Sequence, residues 1–454
     1  MRVLALEIND SGLLVGSDDA HQEAGPGYAM LDQERLSLGE EARRLARLRP
    51  RRLHNRFWLE LDTRPLPRPV PYAATAADLA HAQMADLWER FGDDAEAVVL
   101  VVPGYFGSEA LGLLLGIARA CEMPVRGMVD AAVAALAGRG LGQRMLYLDA
   151  HLHVSVLTEL EVSAELSRGA VQLIDGSGLA TLSQAWIDTV AAAFVNQTRF
   201  DPLHHAATEQ SLFDCVDDWI TALSAGEDLT VQIEPEGSPI AVQVSRRQML
   251  EAAAPVYERI ARMVESTAQR LGPLRVAMSE RIGRLPGLPE RLARIEAVDT
   301  LTLPAAAAVE GALRFQEQIC SGGEHINFIV ALPAGRVTAA EIETPPQVAD
   351  DTRPHPTHLL AGSVAWEISA QPLTIGSAPA SDARSVIISG NLEGVSRRHC
   401  QVLVRGDDVV VEDHSRFGTF VNDRRISSVA TLRAGDVLRV GAPGTTLLLV
   451  EARA

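Results

Sequence analysis

The sequence contains no lysine; all 41 of its basic residues are arginine. No Gly-Lys-Ser/Thr phosphate loop can therefore exist, and no lysine is available as a Schiff-base nucleophile or general base. Cysteine is scarce: Cys121, Cys215, Cys320 and Cys400 lie far apart, with no Cys-x-x-Cys pair. That pattern predicts a reduced, cytoplasmic protein rather than a disulfide framework. No apolar run approaches the roughly 20 residues of a membrane span, so no membrane insertion is expected. The opening residues, MRVLALEIND, enter a strand-like pattern at once, without the layout of a signal peptide.

What is present is acidic and apolar. The net charge is −18 and 47% of residues are hydrophobic, over 454 residues, a length that predicts two or three domains. An acidic surface repels phosphate backbones, which disfavours nucleic acid as a partner. One stretch runs against this balance: ARRLARLRPRRLHNR, with Arg43, Arg44, Arg47, Arg49, Arg51, Arg52 and Arg56. It reads as a solvated helix face with a loop, and the alternative is a docking patch for an acidic partner.

Short apolar strands (RVLALEI, GLLVG, GYAML) open the chain, and helices alternate with strands from residue 76 onward: AADLAHAQMADLWERF, AEAVVLVVP, SEALGLLLGIARACEM, PVRGMV, DAAVAALAG. The same order returns from residue 146, with strands LYLDAHLHVSVLTEL and EVSAELSRGAVQLI and helix TLSQAWIDTVAAAFV. An insertion over about 200–270 precedes LRVAM, LPGLPERLARI, DTLTL and PAAAAVEGALRF. Strands alternating with helices predict a wound α/β fold, and the repeated order predicts two tandem βββαβα halves, about 1–140 and 141–320, around a cleft. Residues 333–355 are Pro-, Thr- and acid-rich without periodicity and read as a linker after a 1–332 domain. Residues 356–454 hold only short strands between turns, which predicts a small all-β sandwich.

Over residues 1–320 the chain resembles the actin/DnaK-type chaperone ATPase fold. LGEEARRLARLRPRRLHNRF, VVPGYFGSEALGLLLGIARACEMPVRGMVDAAVAALAG, VSRRQMLEAAAPVYERI, LPGLPERL and AAAAVEGAL are similar, in the right order, to five segments of that family. The resemblance implies that two Gly-rich turns hold nucleotide phosphates, because only glycine lets backbone amides approach so closely. The family's Asp-Leu-Gly-Thr-Thr turn stands here as Glu7-Ile8-Asn9-Asp10-Ser11, with Asp10 aiming charge towards phosphate. Its Asp-x-Gly-Gly-Gly-Thr turn stands as Asp149-Ala150-His151-Leu152-His153, without glycine. The Gly-Gly-Ser loop beside the adenosine appears as Ala277-Met278-Ser279, with Arg281 matching the following arginine. The adenine-clamping Glu and Lys become Val216 and Trp219, and Glu60 or a neighbour stands near the place of the phosphate-positioning lysine. Each lost contact to phosphate costs about 1.5–3 kcal/mol, so ATP binding and hydrolysis are expected to be lost together. The expectation is a pseudo-ATPase with no cofactor; the alternative is an ATP/Mg²⁺-dependent switch or ATPase. His151 and His153, if they alternate on a strand, share one face that could take a metal, but no third ligand is apparent and none is expected.

The final hundred residues resemble a forkhead-associated (FHA) domain: LTIGSAPASD, GVSRRHCQV, VVVEDHSRFGTFVNDRRI and LRAGDVLRVG follow that family's pattern in order and spacing. The resemblance implies a module that grips phosphothreonine peptides through loop Arg, Ser and Asn donors. Ser396, Arg397 and His399 keep the Ser-Arg-x-His motif, with Ser396 a donor to phosphate and His399 a brace for the loop. Ser377 stands where the family's phosphate-pairing arginine is. Ser415 is kept, but Arg416 and Phe417 replace the usual small residue and asparagine, and Gly418, Thr419, Val421 and Asn422 continue the turn. Two readings stay open: Arg397, Arg398 and Arg416 supply the missing charge for a phosphorylated or acidic partner, or the face is phosphate-independent with Phe417 as an apolar anchor. Thr344, between acids and two prolines, is a further candidate for phosphorylation. Together these features predict a scaffold or adaptor that works through protein partners.

Overall fold

The structure is a computed structural model, which describes residues 2–17, 20–32, 35–70, 72–140, 144–321, 325–335, 354–361, 364–378, 384–388, 395–406, 408–415, 418–422, 424–426, 429–440 and 445–451. The chain forms two compact units, residues 1–341 and 342–454.

The first unit is mixed α/β and contains two large sheets. In the first, Val3–Glu7 runs antiparallel to Leu13–Gly16, which runs antiparallel to His21–Gly25. On its other side Val3–Glu7 is parallel to Ala97–Val102, itself parallel to Val125–Asp130. In the second sheet Arg144–Ala150, Val154–Val162 and Glu165–Asp175 form the antiparallel trio, and Leu274–Met278 and Val298–Thr302 the parallel pair. Strand order and direction are thus the same in both. AVVLVV of Ala97–Val102 is buried along its whole length, as a parallel strand covered on both faces must be.

The third strand of the first sheet differs from the sequence reading. GYAML was expected to supply it, but Ala29–Leu31 belongs to a separate small sheet with Leu36–Leu38 and Leu53–His54. The place is taken by His21–Gly25, whose first three residues are exposed. This edge strand buries only Ala24 of its five residues, so it carries no period-2 signal.

Residues 328–333 serve both sheets. Phe328–Ile329 adds in parallel to Val125–Asp130, and Ala331–Pro333 adds antiparallel to Glu165–Asp175. The expected linker therefore starts pinned: Gly138 N–H donates to the Pro333 carbonyl at 2.9 Å and Gly140 N–H to that of Ala334 at 3.0 Å. Thr344 and the rest of 336–353 lie outside the described residues.

Between the sheets lies an alanine-rich layer. The helix Ala131–Leu136 is capped by Asp130, whose Oδ1 accepts from Ala132 and Val133 N–H at 3.0 and 3.1 Å. It packs on the helix Ala307–Arg314, and both join one buried cluster with Val99 and Val101 of the first sheet and Tyr147 and Ala277 of the second. The helices meet backbone to side: a Cβ added at Gly311 would overlap the Ala134 carbonyl oxygen. The insertion after the Leu179–Thr198 helix holds two short helices, the hairpin Leu229–Ile233/Ile240–Val244, and the long helix Arg246–Leu271, opened by a Ser245/Gln248 capping box.

The second unit is a two-sheet β structure with no helix among its described residues. One sheet orders Val364–Glu367, His358–Ala361, Thr445–Val450, Val437–Val440, Thr419–Val421 and Arg424–Arg425. The other orders Ser385–Ile387, Leu373–Gly376, Cys400–Arg405, Asp408–Asp413 and Val429–Leu432. Leu359, Ile375, Val402, Val411, Leu438 and Leu447 fill the core between them. The described residues thus carry the short strands between turns expected of 356–454, none longer than six residues. No helix of the described chain is long and apolar enough to cross a membrane.

Replacing Gly311 by Ala is expected to destabilise the first unit by about 1–3 kcal/mol, because neither backbone can retreat without opening the alanine layer. Thermal or urea unfolding of the full chain reads this directly, with Gly112→Ala, whose added Cβ meets nothing within 4 Å, as control.

Candidate functional site

The first candidate site lies where the first strands of the two sheets end and their turns face each other. Asn9 is 1% exposed and spans the gap: its Nδ2 donates to Asp149 Oδ2 at 3.0 Å and to the Ala150 carbonyl at 3.2 Å. Its Oδ1 accepts from the N–H and hydroxyl of Ser11 at 2.9 and 2.7 Å. Asp10, equally buried, receives the Leu152 N–H at 2.9 Å and lies 3.2 Å from His151 Nδ1. The side chains of one turn thus bond the backbone and side chains of the other.

Arg281 closes this network from the second half. Its Nη1 donates to Glu7 Oε1 at 2.9 Å and lies 3.7 Å from Asp149, while Nη2 donates to the Gly12 carbonyl at 3.0 Å. Burial alone would lower the guanidinium pKa, but the Glu7 and Asp149 carboxylates overcome this and hold it firmly charged. Burial pushes the Glu7 carboxyl above its ordinary 4.5 against the pull of Arg281, and Asp149 adds to the rise. Glu7 Oε2 and Asp10 Oδ2 are buried without a hydrogen-bond partner among the described residues. Met278 and Ser279 are buried nearby, and Ser279 caps the short helix Glu280–Gly283.

The two histidines do not share a face, contrary to the alternating-strand reading. The strand stops at Ala150, and the His151 N–H closes a turn onto the Val154 carbonyl at 2.9 Å. His151 is 2% exposed and meets the Tyr105 ring edge-on at 5.3 Å. His153 instead reaches the Asn55 carbonyl at 3.0 Å. No group of three or more His, Cys, Asp or Glu among the described residues could hold a metal ion.

The arginine-rich stretch is divided by the fold. Arg43 Nη2 pairs with Asp217 at 3.1 Å and Arg47 Nη1 with Glu209 at 3.2 Å. Both guanidiniums sit over the Phe213 ring, 5.1 and 4.8 Å from its centroid. Gln210 binds the same backbone twice, accepting the Arg47 N–H at 2.7 Å and donating to the Arg43 carbonyl at 3.2 Å. Sequence reasoning missed this clasp, since its halves lie more than 160 residues apart and neither has a periodic signal. Beneath it is a cavity of about 190 Å³ lined by Tyr28, Trp186, Phe213, Val216 and Ile220. Val216 thus reaches the cavity, Trp219 joins the buried core, and Glu60 pairs with Arg56.

The second candidate site is at the loops of the second unit. His399, fully buried, accepts the Ser396 N–H at Nδ1 (3.0 Å), leaving Nε2 to donate to the Gly418 carbonyl at 3.0 Å. One imidazole therefore ties the 395–399 loop to the 413–419 turn. The former is also bound to the strand end before it, with Ser377 N–H on the Ser396 carbonyl at 3.1 Å and Ala378 N–H on that of Arg397 at 3.2 Å. Gly376 allows this closeness, since a Cβ there would strike the Arg397 carbonyl. Asp413 accepts from Ser415 N–H and the Thr419 hydroxyl at 3.0 and 2.7 Å, and against burial these bonds hold its carboxyl below the ordinary 3.8. Residues 373–441 match the FHA domain family. The second unit carries an FHA domain. No curated protein matches the chain.

The FHA loops sort the predicted peptide-binding residues. Arg397 and Arg398 are exposed and make no ion pair among the described residues, beside Ser396 and the half-buried Ser377. Ser415 is turned inward, its Oγ accepting the Gly418 N–H at 2.7 Å. Asn422 builds a turn: at φ 50° its amide donates to Asp436 and accepts the Val437 N–H, both at 2.9 Å. Arg416 and Phe417 lie outside the described residues.

Arg281→Met is expected to lower the stability of the first unit by about 3–5 kcal/mol, since it leaves buried carboxylates without their cation. The folded variant would hold the Glu7 proton more tightly than the unfolded chain does. Its deficit therefore grows as pH rises above the ordinary carboxylate value of 4.5. Adding Glu7→Gln should recover part of the loss and flatten that slope in denaturant melts at several pH values.

Proposed function

We propose that this protein is a non-enzymatic adaptor, in which the FHA domain recruits protein partners and the first unit is a scaffold of the actin/DnaK type that has lost nucleotide binding. The repeated strand order of its two sheets supports that likeness. One observation carries the loss of nucleotide: Asn9, Asp10 and Ser11 occupy, with their own side chains, the space between two turns that a phosphate would need. A phosphate there would meet the Asp10, Asp149 and Glu7 carboxylates, while Arg281 is already spent on two of them. Four free cysteines fit a reducing compartment such as the cytoplasm.

For the FHA face we favour a phosphothreonine-bearing or otherwise anionic partner. Arg397 and Arg398 stand exposed next to Ser396, and the backbone bonds of Ser377 and Ala378 to Ser396 and Arg397 bring this replacement charge beside Ser377.

Calorimetric titration of ATP with Mg²⁺ into the full chain is expected to give no binding below about 1 mM, the level at which roughly 4 kcal/mol of affinity remains. Micromolar binding with turnover would replace this reading by that of a nucleotide-driven switch. For the FHA domain, phosphothreonine peptides should bind at least about tenfold more weakly to Arg397→Ala, as expected for one lost charge-assisted bond. Equal binding of phosphorylated and unphosphorylated peptides would make the face phosphate-independent.

A further inference from the structure

With Arg43 and Arg47 turned into the clasp, the remaining arginines of the stretch are left on the outside. The run from Arg43 to Arg56 contains seven arginines and no acid, in a chain of net charge −18. The side chains of Arg49 and Arg52 are 51% and 45% exposed, and both converge on Asp32. Arg51 between them is exposed. Tyr72 is drawn to the same spot: its hydroxyl donates to the Arg35 carbonyl at 3.1 Å and to that of Asp32. Its ring is left 43% exposed, and Leu48, next to Arg49 in the chain, is 41% exposed. The acids at hand among the described residues are already engaged, Asp32 by two arginines, Glu40 by Arg43 and Arg44, and Glu41 by Arg35.

We propose that Arg49, Arg51 and Arg52, with Leu48 and Tyr72, form a docking surface for an acidic peptide segment of a partner protein that carries apolar side chains among its acids. Charge complementarity sets the sign of the partner, and aromatic and arginine side chains are the types that anchor protein interfaces. Nucleic acid and anionic membranes share the sign but present long fields of charge, which the acidic remainder of this chain repels within a Debye length of about 8–10 Å. Nucleic acid makes no use of Leu48. This surface belongs to the first unit, and the inference does not depend on the function proposed for the FHA loops.

The test is fluorescence anisotropy on the full chain with a fluorescein-labelled peptide of Glu and Asp interspersed with Leu and Phe. Binding should weaken at least tenfold in Arg49→Glu with Arg51→Glu, several-fold in Leu48→Ser, and not at all in Arg397→Ala. Thermal melts verify folding, and if the double reversal lowers the melting temperature, Arg49→Gln with Arg51→Gln takes its place. Absence of binding overturns the proposal, as does binding indifferent to the arginine variants. Loss with the arginine variants but not with Leu48→Ser also overturns it, since that outcome marks diffuse attraction. Tighter binding of polyuridylate or phosphatidylserine vesicles through the same arginines would assign the surface to another class of ligand.

Discussion

The buried ion group of Arg281, Glu7 and Asp149 is the constraint on which the first unit's arrangement depends. Three ionisable side chains are held out of water, and the attraction of the two carboxylates to Arg281 must offset a desolvation cost of several kcal/mol per ion. That balance holds only while Glu7, from one half, and Asp149, from the other, both stay within about 4 Å of Arg281. Asn9 and Asp10 then extend the contact with directional hydrogen bonds. The two halves are consequently held together at these turns, and the Arg43/Arg47 clasp on Phe213 holds them at a second place.

Part of this site was legible in the sequence. The absence of glycine at 149–153 and the Asn at position 9 showed that neither turn offers bare backbone amides, because glycine is what permits so close an approach. What the side chains of the two turns do was not legible. A hydrogen bond between Asn9 and Asp149 spans 140 residues, and nothing local in either turn specifies the other. The same holds for Phe213 between two arginines. His151 and His153 misled for a different reason: their spacing fits a strand, but the strand ends at Ala150, where the chain must turn to reach Leu152 and the Asp10 carboxylate.

The FHA domain was the more readable part, since its signature residues are mostly structural. His399 joins two loops through both ring nitrogens, and Asn422 and Asp436 close a turn. Such residues serve the fold whatever the ligand. At Ser377 it is likewise the backbone that holds the loop, through its N–H on the Ser396 carbonyl.

The strand pair at 328–333 has a mechanical consequence. Its two short strands are separated only by Val330 yet bond to different sheets, Ala331–Pro333 to Glu165–Asp175 and Phe328–Ile329 to Val125–Asp130. Pulling one sheet away from the other must therefore break one of these two ladders, so six residues act as a staple across the first unit.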